Sequence, residues 1–432
     1  MHVAILGNGV TGVSAALRLR EKRPDWDITI VSGESTYHYS RPALMYVFMG
    51  HLRYRDTKPY EDSFWGEKRL DLVRGWVTGI DLEARQLRFQ DREPLAFDRL
   101  LLATGSKSNK FGWPGQDLVG VQGLWGLNDL KELYDNVTVT RHAVIVGGGL
   151  IGIELGEMLH SRGVHVTFLI RESSYWNNVL PPEESAMVSR HIEELGFDLR
   201  RETELQEILD DGHGRCAGIV TKAGERIDCQ LVGLTAGVSP NVDLVRDTPI
   251  EVGRGILVDR SLRTNVEGVF AAGDCAEIVT PEDERNWIQQ VWYTGKSQGE
   301  LVADVLAGEE RVYEPGIWFN SAKFLDLEYQ TYGRVHLRVP GERNLLWQHP
   351  TEHKAIRIVT LPAEGREPVI GFNLMGIRWR HEVCERWIAE EVEVGDVLGR
   401  LSEANFDPEL FRRYESEAVR AFRTQLAQEV PA

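Results

Sequence analysis

Val3-Ala4-Ile5-Leu6-Gly7-Asn8-Gly9-Val10-Thr11-Gly12 and Val144-Ile145-Val146-Gly147-Gly148-Gly149-Leu150-Ile151-Gly152 are two versions of one pattern. Each is a short apolar run that ends in G-x-G-x-x-G. A buried strand leading into such a turn, then a helix, is the start of a nucleotide-binding βα unit. The glycines allow a tight turn and let backbone N–H groups approach a pyrophosphate at the positive end of the helix. One copy is a weak signal. Here the context repeats too: a helical stretch follows each turn (residues 13–20 and 153–160), then a second apolar strand (residues 28–31 and 166–169) and an acid. Glu34 and Glu172 lie 22 and 20 residues beyond the third glycine, the spacing at which a carboxylate accepts from ribose hydroxyls. Two dinucleotide sites are expected.

Outward from this repeat, residues 70–103 change to short alternating runs with polar turns, the signature of an antiparallel meander. They end in the buried strand Leu100-Leu101-Leu102-Ala103, followed by Thr104-Gly105. Similar parts return later: residues 215–232 alternate, Leu234-Thr235-Ala236-Gly237 closes the second unit, and residues 268–274 (GVFAAGD) form another strand and turn. The second unit therefore reads as inserted into the first. The expected division is 1–110 with 245–312, then 111–244, then 313–432. In the last part, strands are expected over residues 319–329, 345–347, 355–361 and 369–374. A helix should then start at Asp407-Pro408-Glu409, with Asp as N-cap and Pro at the first helical position. Leu410, Phe411, Tyr414, Ala418, Phe422 and Leu426 share one face of that helix, which packs on the protein itself or on a second subunit, or lies on a membrane surface.

Composition excludes several classes. The chain has 432 residues, enough for two or three domains. A formal net charge of −17 opposes binding to nucleic acid and to anionic membranes. No apolar run approaches the roughly 20 residues that span a bilayer, and the N-terminal residues read as a first strand, so a cytoplasmic protein without a transmembrane segment is expected. The four cysteines, Cys216, Cys229, Cys275 and Cys384, form no CxxC or CxxxxC pair. Neither a metal site nor a local redox disulfide is expected from them.

On these motifs the chain resembles the two-dinucleotide-binding flavoproteins: glutathione reductase, the ferredoxin and rubredoxin reductases, and the FAD/NAD domains of nitrite reductase. The resemblance covers residues 1 to about 312. It rests on the two glycine turns, on Ala103-Thr104-Gly105, and most specifically on residues 264–274 (TNVEGVFAAGD). It implies an α/β fold with two Rossmann-like domains of the glutathione-reductase type and a C-terminal α+β interface domain, assembled as a homodimer.

The resemblance also assigns roles. FAD would lie on Gly7, Gly9, Val10, Thr11 and Gly12, with Glu34, Arg41, Val77, Ala103, Thr104, Gly105, Gly273 and Asp274; Asp274 would reach the ribityl or pyrophosphate portion and Val77 the adenine. NAD(H) or NADP(H) would lie on Gly147, Gly149, Leu150, Ile151, Gly152 and Gly237. Arg171 and Glu172 carry opposite specificity signals, since Glu172 suits the 2′-hydroxyl of NAD and Arg171 the 2′-phosphate of NADP; the repeat favours NADH. Glu154 and Trp292 correspond to residues near the nicotinamide and flavin, in orienting roles.

Tyr39-Ser40-Arg41-Pro42-Ala43-Leu44 is similar to the Y-x-R-P-x-L segment of the ferredoxin, rubredoxin and nitrite reductase branches. Relatives that use a dithiol carry a cysteine near this region, and this chain has none. Met45 and Tyr46 replace the usual Ser and Lys, and Gln290 replaces a Glu. The resemblance therefore implies an FAD-dependent NAD(P)H oxidoreductase that passes electrons directly to an acceptor such as a small acidic ferredoxin- or rubredoxin-type carrier. His51, Arg53, Arg55 and Lys58 form either a solvated face or a docking patch for that carrier. The alternatives are a quinone-reducing NADH dehydrogenase and a non-catalytic NADH sensor resembling apoptosis-inducing factor.

Overall fold

The computed structural model describes residues 1–280, 286–335, 339–363, 365–406, 409 and 412–428. The chain forms two compact units, Met1–Thr140 with Gly233–Glu314 and Arg141–Val232 with Pro315–Ala432.

The first unit is built on a five-stranded parallel sheet in the order Val269–Ala271, Arg99–Leu102, His2–Leu6, Asp27–Ser32, Asp71–Arg74. Val3, Ala4, Ile5, Leu100, Leu101 and Leu102 are fully buried. Such unbroken apolar runs belong to strands covered on both faces. From the central strand His2–Leu6 the chain runs outward one way to Asp27–Ser32 and Asp71–Arg74, and then returns to the other side as Arg99–Leu102. The order reverses there, and in open parallel sheets such a switch point leaves a crevice at the carboxyl ends of the strands. The expected meander is present as Val77–Asp81, Gln86–Phe89 and Leu95–Ala96, antiparallel throughout. Residues 71–74, read from the sequence as part of it, instead extend the parallel sheet.

Residues 111–140 and 233–244 fall with the first unit rather than with the inserted segment. The helix Leu127–Val137 explains the first of these: its Leu127 N–H donates to Glu34, its Tyr134 hydroxyl donates to the Val47 carbonyl, and Tyr134 packs on Phe48 at 4.9 Å.

In the second unit, His142–Val146, His165–Leu169 and Asp198–Arg200 pair in parallel. An antiparallel sheet follows from Leu205–Asp210, Cys216–Thr221 and Arg226–Asp228. The C-terminal part is a five-stranded antiparallel sheet in the order Phe319–Phe324, Leu327–Gly333, Val369–Met375, Ala355–Thr360, Arg343–Gln348. Residues 319–329 are thus a hairpin and not one strand. The chain reverses at Leu325, whose φ is +59°, a conformation that the sequence does not announce with a glycine.

A buried ion pair explains why residues 315–432 count with 141–232. Arg357 places two guanidinium nitrogens on Glu184, at 2.7 and 2.8 Å, and reaches Glu183 at 2.7 Å. The C-terminal helix is Glu415–Gln428; Asp407, Pro408, Leu410 and Phe411 of the expected helix start lie outside the described residues. Tyr414, Ala418 and Phe422 are buried within the sheet's own core, so this apolar face is covered by the same chain. Among the described residues no helix is long and apolar enough to cross a membrane.

Candidate nucleotide sites

At the first glycine turn, Gly7 has φ +121°, and a Cβ there would meet the Ala103 carbonyl oxygen at 2.1 Å. A Cβ on Gly12 would lie 2.0 Å from the Gly7 carbonyl oxygen. Both positions exclude any side chain. Gly9 differs, because a Cβ there would meet no protein atom within 4 Å. It is the N-cap of the helix Val10–Lys22 and offers no side-chain cap, so the first N–H groups of the helix face open space with positive polarity. That cradle fits a pyrophosphate. Asn8 fastens it to the chain beyond the second strand: its amide donates to the Ser35 carbonyl and hydroxyl, and His38 Nδ1 donates to the Asn8 carbonyl at 2.7 Å. Burial pushes the His38 imidazole below its ordinary pKa.

The late G-D motif arrives at the same sheet edge because Val269–Ala271 pairs with Arg99–Leu102. Gly273, at φ +76°, would place a Cβ 2.3 Å from Thr11 Oγ1, and Gly299 would place one 2.4 Å from the Thr11 carbonyl oxygen. The helix Trp292–Leu306 thereby lies close against Val10–Lys22, and Gln298 accepts from the Gly273 N–H at 2.7 Å. The Asp274 carboxylate accepts from Ser106 Oγ at 3.1 Å, which itself accepts from Gln290 Nε2 at 2.7 Å. Burial raises the Asp274 pKa, with Ser106 and Arg41 acting against it.

Glu34 is more enclosed than its spacing implies. One carboxylate oxygen accepts from the Leu127 N–H at 2.7 Å; the other accepts from the Tyr39 hydroxyl at 2.7 Å and from Arg41 at 3.0 Å. Arg41 also donates to the Trp125 carbonyl. A carboxylate has about four acceptor sites, so one remains for a ribose hydroxyl. Among the other sequence candidates, Val10 and Thr11 open the helix, Ala103 and Thr104 directly follow the neighbouring strand, and Gly105 has φ +70° with open space at its Cβ position. Val77 is half-buried at the start of the meander. Gly237 has φ +87° and lies in this unit, near Asn109. Trp292 is 46% exposed and is therefore not an ordinary core indole.

The second glycine turn repeats the first. Gly147 has φ +124°, and Gly149 caps Leu150–His160 with no protein atom within 4 Å of its Cβ position. Leu150, Ile151 and Gly152 form the first helical turn. The Gly149 carbonyl accepts from the hydroxyl of the fully buried Tyr175 at 2.9 Å, a support that the sequence signals only as one aromatic after the second strand. Arg171 and Glu172 pair with each other at 2.7 Å, and the Arg171 side chain is 76% exposed. Glu154 is partly buried; desolvation, with Glu157 nearby, raises its carboxyl to about 7 against the opposing effect of Lys323. Lys323 pairs with Glu157 at 2.8 Å.

Two groups of cations differ in their company. Among residues 51–62, Arg53, Arg55 and Lys58 face Asp56, Glu61 and Asp62, and Asp56 and Asp62 take the three cations directly. This segment has no net positive charge. A cleft of about 620 Å³ in the first unit contains Lys107, Lys110, Arg246 and Arg254, with Ser108 and Gln290 also in its wall. Asp243 and Asp117 pair with three of its cations.

All four cysteines are buried. Cys275 follows Asp274, but its thiol donates to the Leu102 and Ala272 carbonyls, and burial raises its pKa.

Residues 1–299 match the model of the pyridine nucleotide-disulphide oxidoreductase family, and the chain belongs to that family of oxidoreductases. It is 32% identical over 275 residues to the ferredoxin–NAD(+) reductase component of the biphenyl dioxygenase system of Paraburkholderia xenovorans, covering 63% of this chain and 67% of that one. It is 29% identical over 280 residues to a rubredoxin–NAD(+) reductase of Pseudomonas putida, covering 64% and 72%. Among solved structures, the reductase in a covalent putidaredoxin reductase–putidaredoxin complex shares the fold at a TM-score of 0.79 and 20% identity, over 98% of this chain and 99% of that one. An NAD-dependent persulfide reductase from A. fulgidus does so at 0.86 and 21%, over 99% and 83%.

Proposed function

We propose that this chain is an FAD-dependent NADH oxidoreductase that reduces a small acidic iron–sulfur or rubredoxin-type carrier. The observation that carries the reading is the pair of uncapped glycine turns, one in each unit, each with an open Cβ position at its second glycine. When bound, the nicotinamide supplies a hydride, and the flavin accepts it and releases electrons. The protein's own contribution is binding and orientation. Gly7, Gly9, Val10, Thr11 and Gly12 hold the FAD pyrophosphate, Glu34 and Arg41 flank it, Val77 supports the adenine side, and residues 103–105, Gly273 and Asp274 line the flavin side. Gly147, Gly149, Leu150, Ile151 and Gly152 hold the nucleotide, with Glu172 on its ribose and Glu154 orienting the nicotinamide.

The named activities of the relatives support a carrier as acceptor. So does the cysteine placement: none lies near Tyr39 to Leu44, and the buried Cys275 thiol donates to backbone carbonyls rather than to a second cysteine. The cationic cleft beside Ser106 and Gln290 supplies complementary charge for an acidic partner. Anaerobic stopped-flow tests the reading. NADH should bleach the bound flavin faster than NADPH, and the reduced protein should reoxidise with ferredoxin or rubredoxin. A quinone accepted in preference to either carrier favours the quinone reductase, and a long-lived reduced complex with altered oligomeric mass favours the sensor.

A further inference from the structure

Two side chains of one helix meet a third from a distant part of the chain on the second unit, outside its glycine turn. His191 and Glu194 stand three residues apart on the helix Pro182–Glu194 and so share a face. His353 comes from the segment before the strand Ala355–Thr360. One ligand-type atom from each lies within 4.8 Å of the others. The two imidazole rings are 4.9 Å apart, edge to face. His353 Nε2 is 2.6 Å from a Glu194 oxygen, and His191 Nε2 is 2.6 Å from Asp326. Asp326 sits at the reversal of the hairpin that the sequence read as a single strand.

We propose that His191, Glu194 and His353 bind a divalent transition-metal ion, zinc best matching the donor set, with Asp326 as the carboxylate that orients His191. Two imidazoles and one carboxylate are a recurrent zinc set that leaves a fourth position for water. A carboxylate on the remaining nitrogen of a metal-binding histidine fixes its tautomer and ring direction. Bonds of about 2.0–2.2 Å bring tetrahedral ligands to about 3.4 Å from one another, so atoms now up to 4.8 Å apart must close in while the 2.6 Å Glu194–His353 pair opens around the ion. The means are present, because the Glu194 side chain is 60% exposed and has room to shift about its contact with His353, while the His191 side chain is only 10% exposed and anchors the site. The bound ion would fasten the last turn of the helix Pro182–Glu194 to the residue 353 segment, as the Arg357 ion pair with Glu183 and Glu184 fastens its first turn. The sequence does not announce the site, since His353 stands more than 150 residues from His191 and Glu194, and that helical pair alone is no metal-binding motif.

The test uses untagged holoenzyme, stripped with chelator, equilibrated with zinc and passed through gel filtration before elemental analysis. The expected result is roughly one zinc retained per chain, with a thermal midpoint raised by zinc and lowered again by chelator. E194Q and H353A should retain flavin and its bleaching by NADH but lose the zinc and the midpoint shift; H213A, at an exposed histidine elsewhere, should behave as wild type. Zinc at background level in the wild-type protein, or retained equally by E194Q and H353A, overturns the proposal. Because flavin bleaching is read separately, failure here is distinct from failure of the oxidoreductase reading.

Discussion

The two glycine turns have the same backbone and different surroundings. The first is tied down from several directions: Asn8 to Ser35, Glu34 to Leu127, Tyr39 and Arg41, and Gly273 against Thr11. The second has Tyr175 beneath it, but the carboxylate of its acid, Glu172, pairs with a neighbouring arginine that is mostly in solvent. Groups held in place before binding do not have to be ordered by the ligand, which favours tight, lasting occupancy. An open site with a movable specificity pair suits a molecule that must enter and leave on every turnover. The contrast supports a resident cofactor at the first turn and an exchanging cosubstrate at the second.

The largest effect should come from breaking the first turn itself. Gly12→Ala drives a Cβ into the Gly7 carbonyl, with Ile5 Cγ2 a further 3.1 Å neighbour, and neither backbone nor core can give way easily. A loss of about 3 kcal/mol or more is expected, read as a lowered thermal midpoint and protein purified without yellow colour. Gly9→Ala meets no protein atom, so it should fold normally and lose flavin affinity alone. If both variants keep their flavin, the cradle is not where the cofactor binds.

Next is Glu34→Gln. It removes the charge that organises Tyr39 and Arg41 and leaves a neutral amide whose NH2 faces donors. About 1–3 kcal/mol of stability should be lost, measurable by denaturant unfolding, with faster flavin release. An unchanged midpoint and release rate would mean that the enclosure of Glu34 contributes nothing to retention.

Glu154 gives a pH-dependent effect. Its carboxyl titrates at about 7 when folded, against an ordinary 4.5. Between these values the folded state holds the proton and the unfolded state has lost it, so stability falls as pH rises and levels off above the folded pKa. From pH 6 to 7.5 the decline from this group is about 1 kcal/mol. Glu154→Gln should flatten that part of the stability–pH curve. The same steepness in the variant would assign the titration to another group.

The fold was legible where one physical signal dominated. Unbroken apolar runs and obligatory glycines marked both parallel sheets, because steric demands at Gly7 and Gly12 leave no alternative residue. The boundaries were less so. Residues 111–140 belong with the first unit through a hydrogen bond from Leu127 to Glu34, and residues 315–432 with the second through Arg357 and Glu184; pairings across more than 90 positions leave no local pattern. The same holds for the candidate sites. Glu34 could be placed by spacing, but not its three protein donors. Ser106, which joins Gln290 to Asp274, has no motif of its own. The basic run at residues 51–58 was visible, and so was each of its acids; what the sequence lacked was the pairing that leaves the segment without net charge.

Glu172→Gln is expected to have the smallest effect on stability and sharpens the contrast from the other side. The Arg171 side chain is mostly solvated, and an exposed pair of this kind contributes about 0–1 kcal/mol, so the thermal midpoint should barely move. Specificity should move instead. The variant removes the acceptor for a ribose 2′-hydroxyl and frees Arg171 for a 2′-phosphate. The ratio of kcat/KM for NADH over NADPH should fall by about tenfold, equivalent to about 1.4 kcal/mol, while the flavin remains bound. An unchanged ratio would show that Glu172 does not read the ribose, and a lost flavin would show that the two turns are not independent. The expected combination, stability kept and preference shifted, is the reverse of that expected at Glu34, where an acid at the equivalent position is held by protein donors and its loss should speed flavin release.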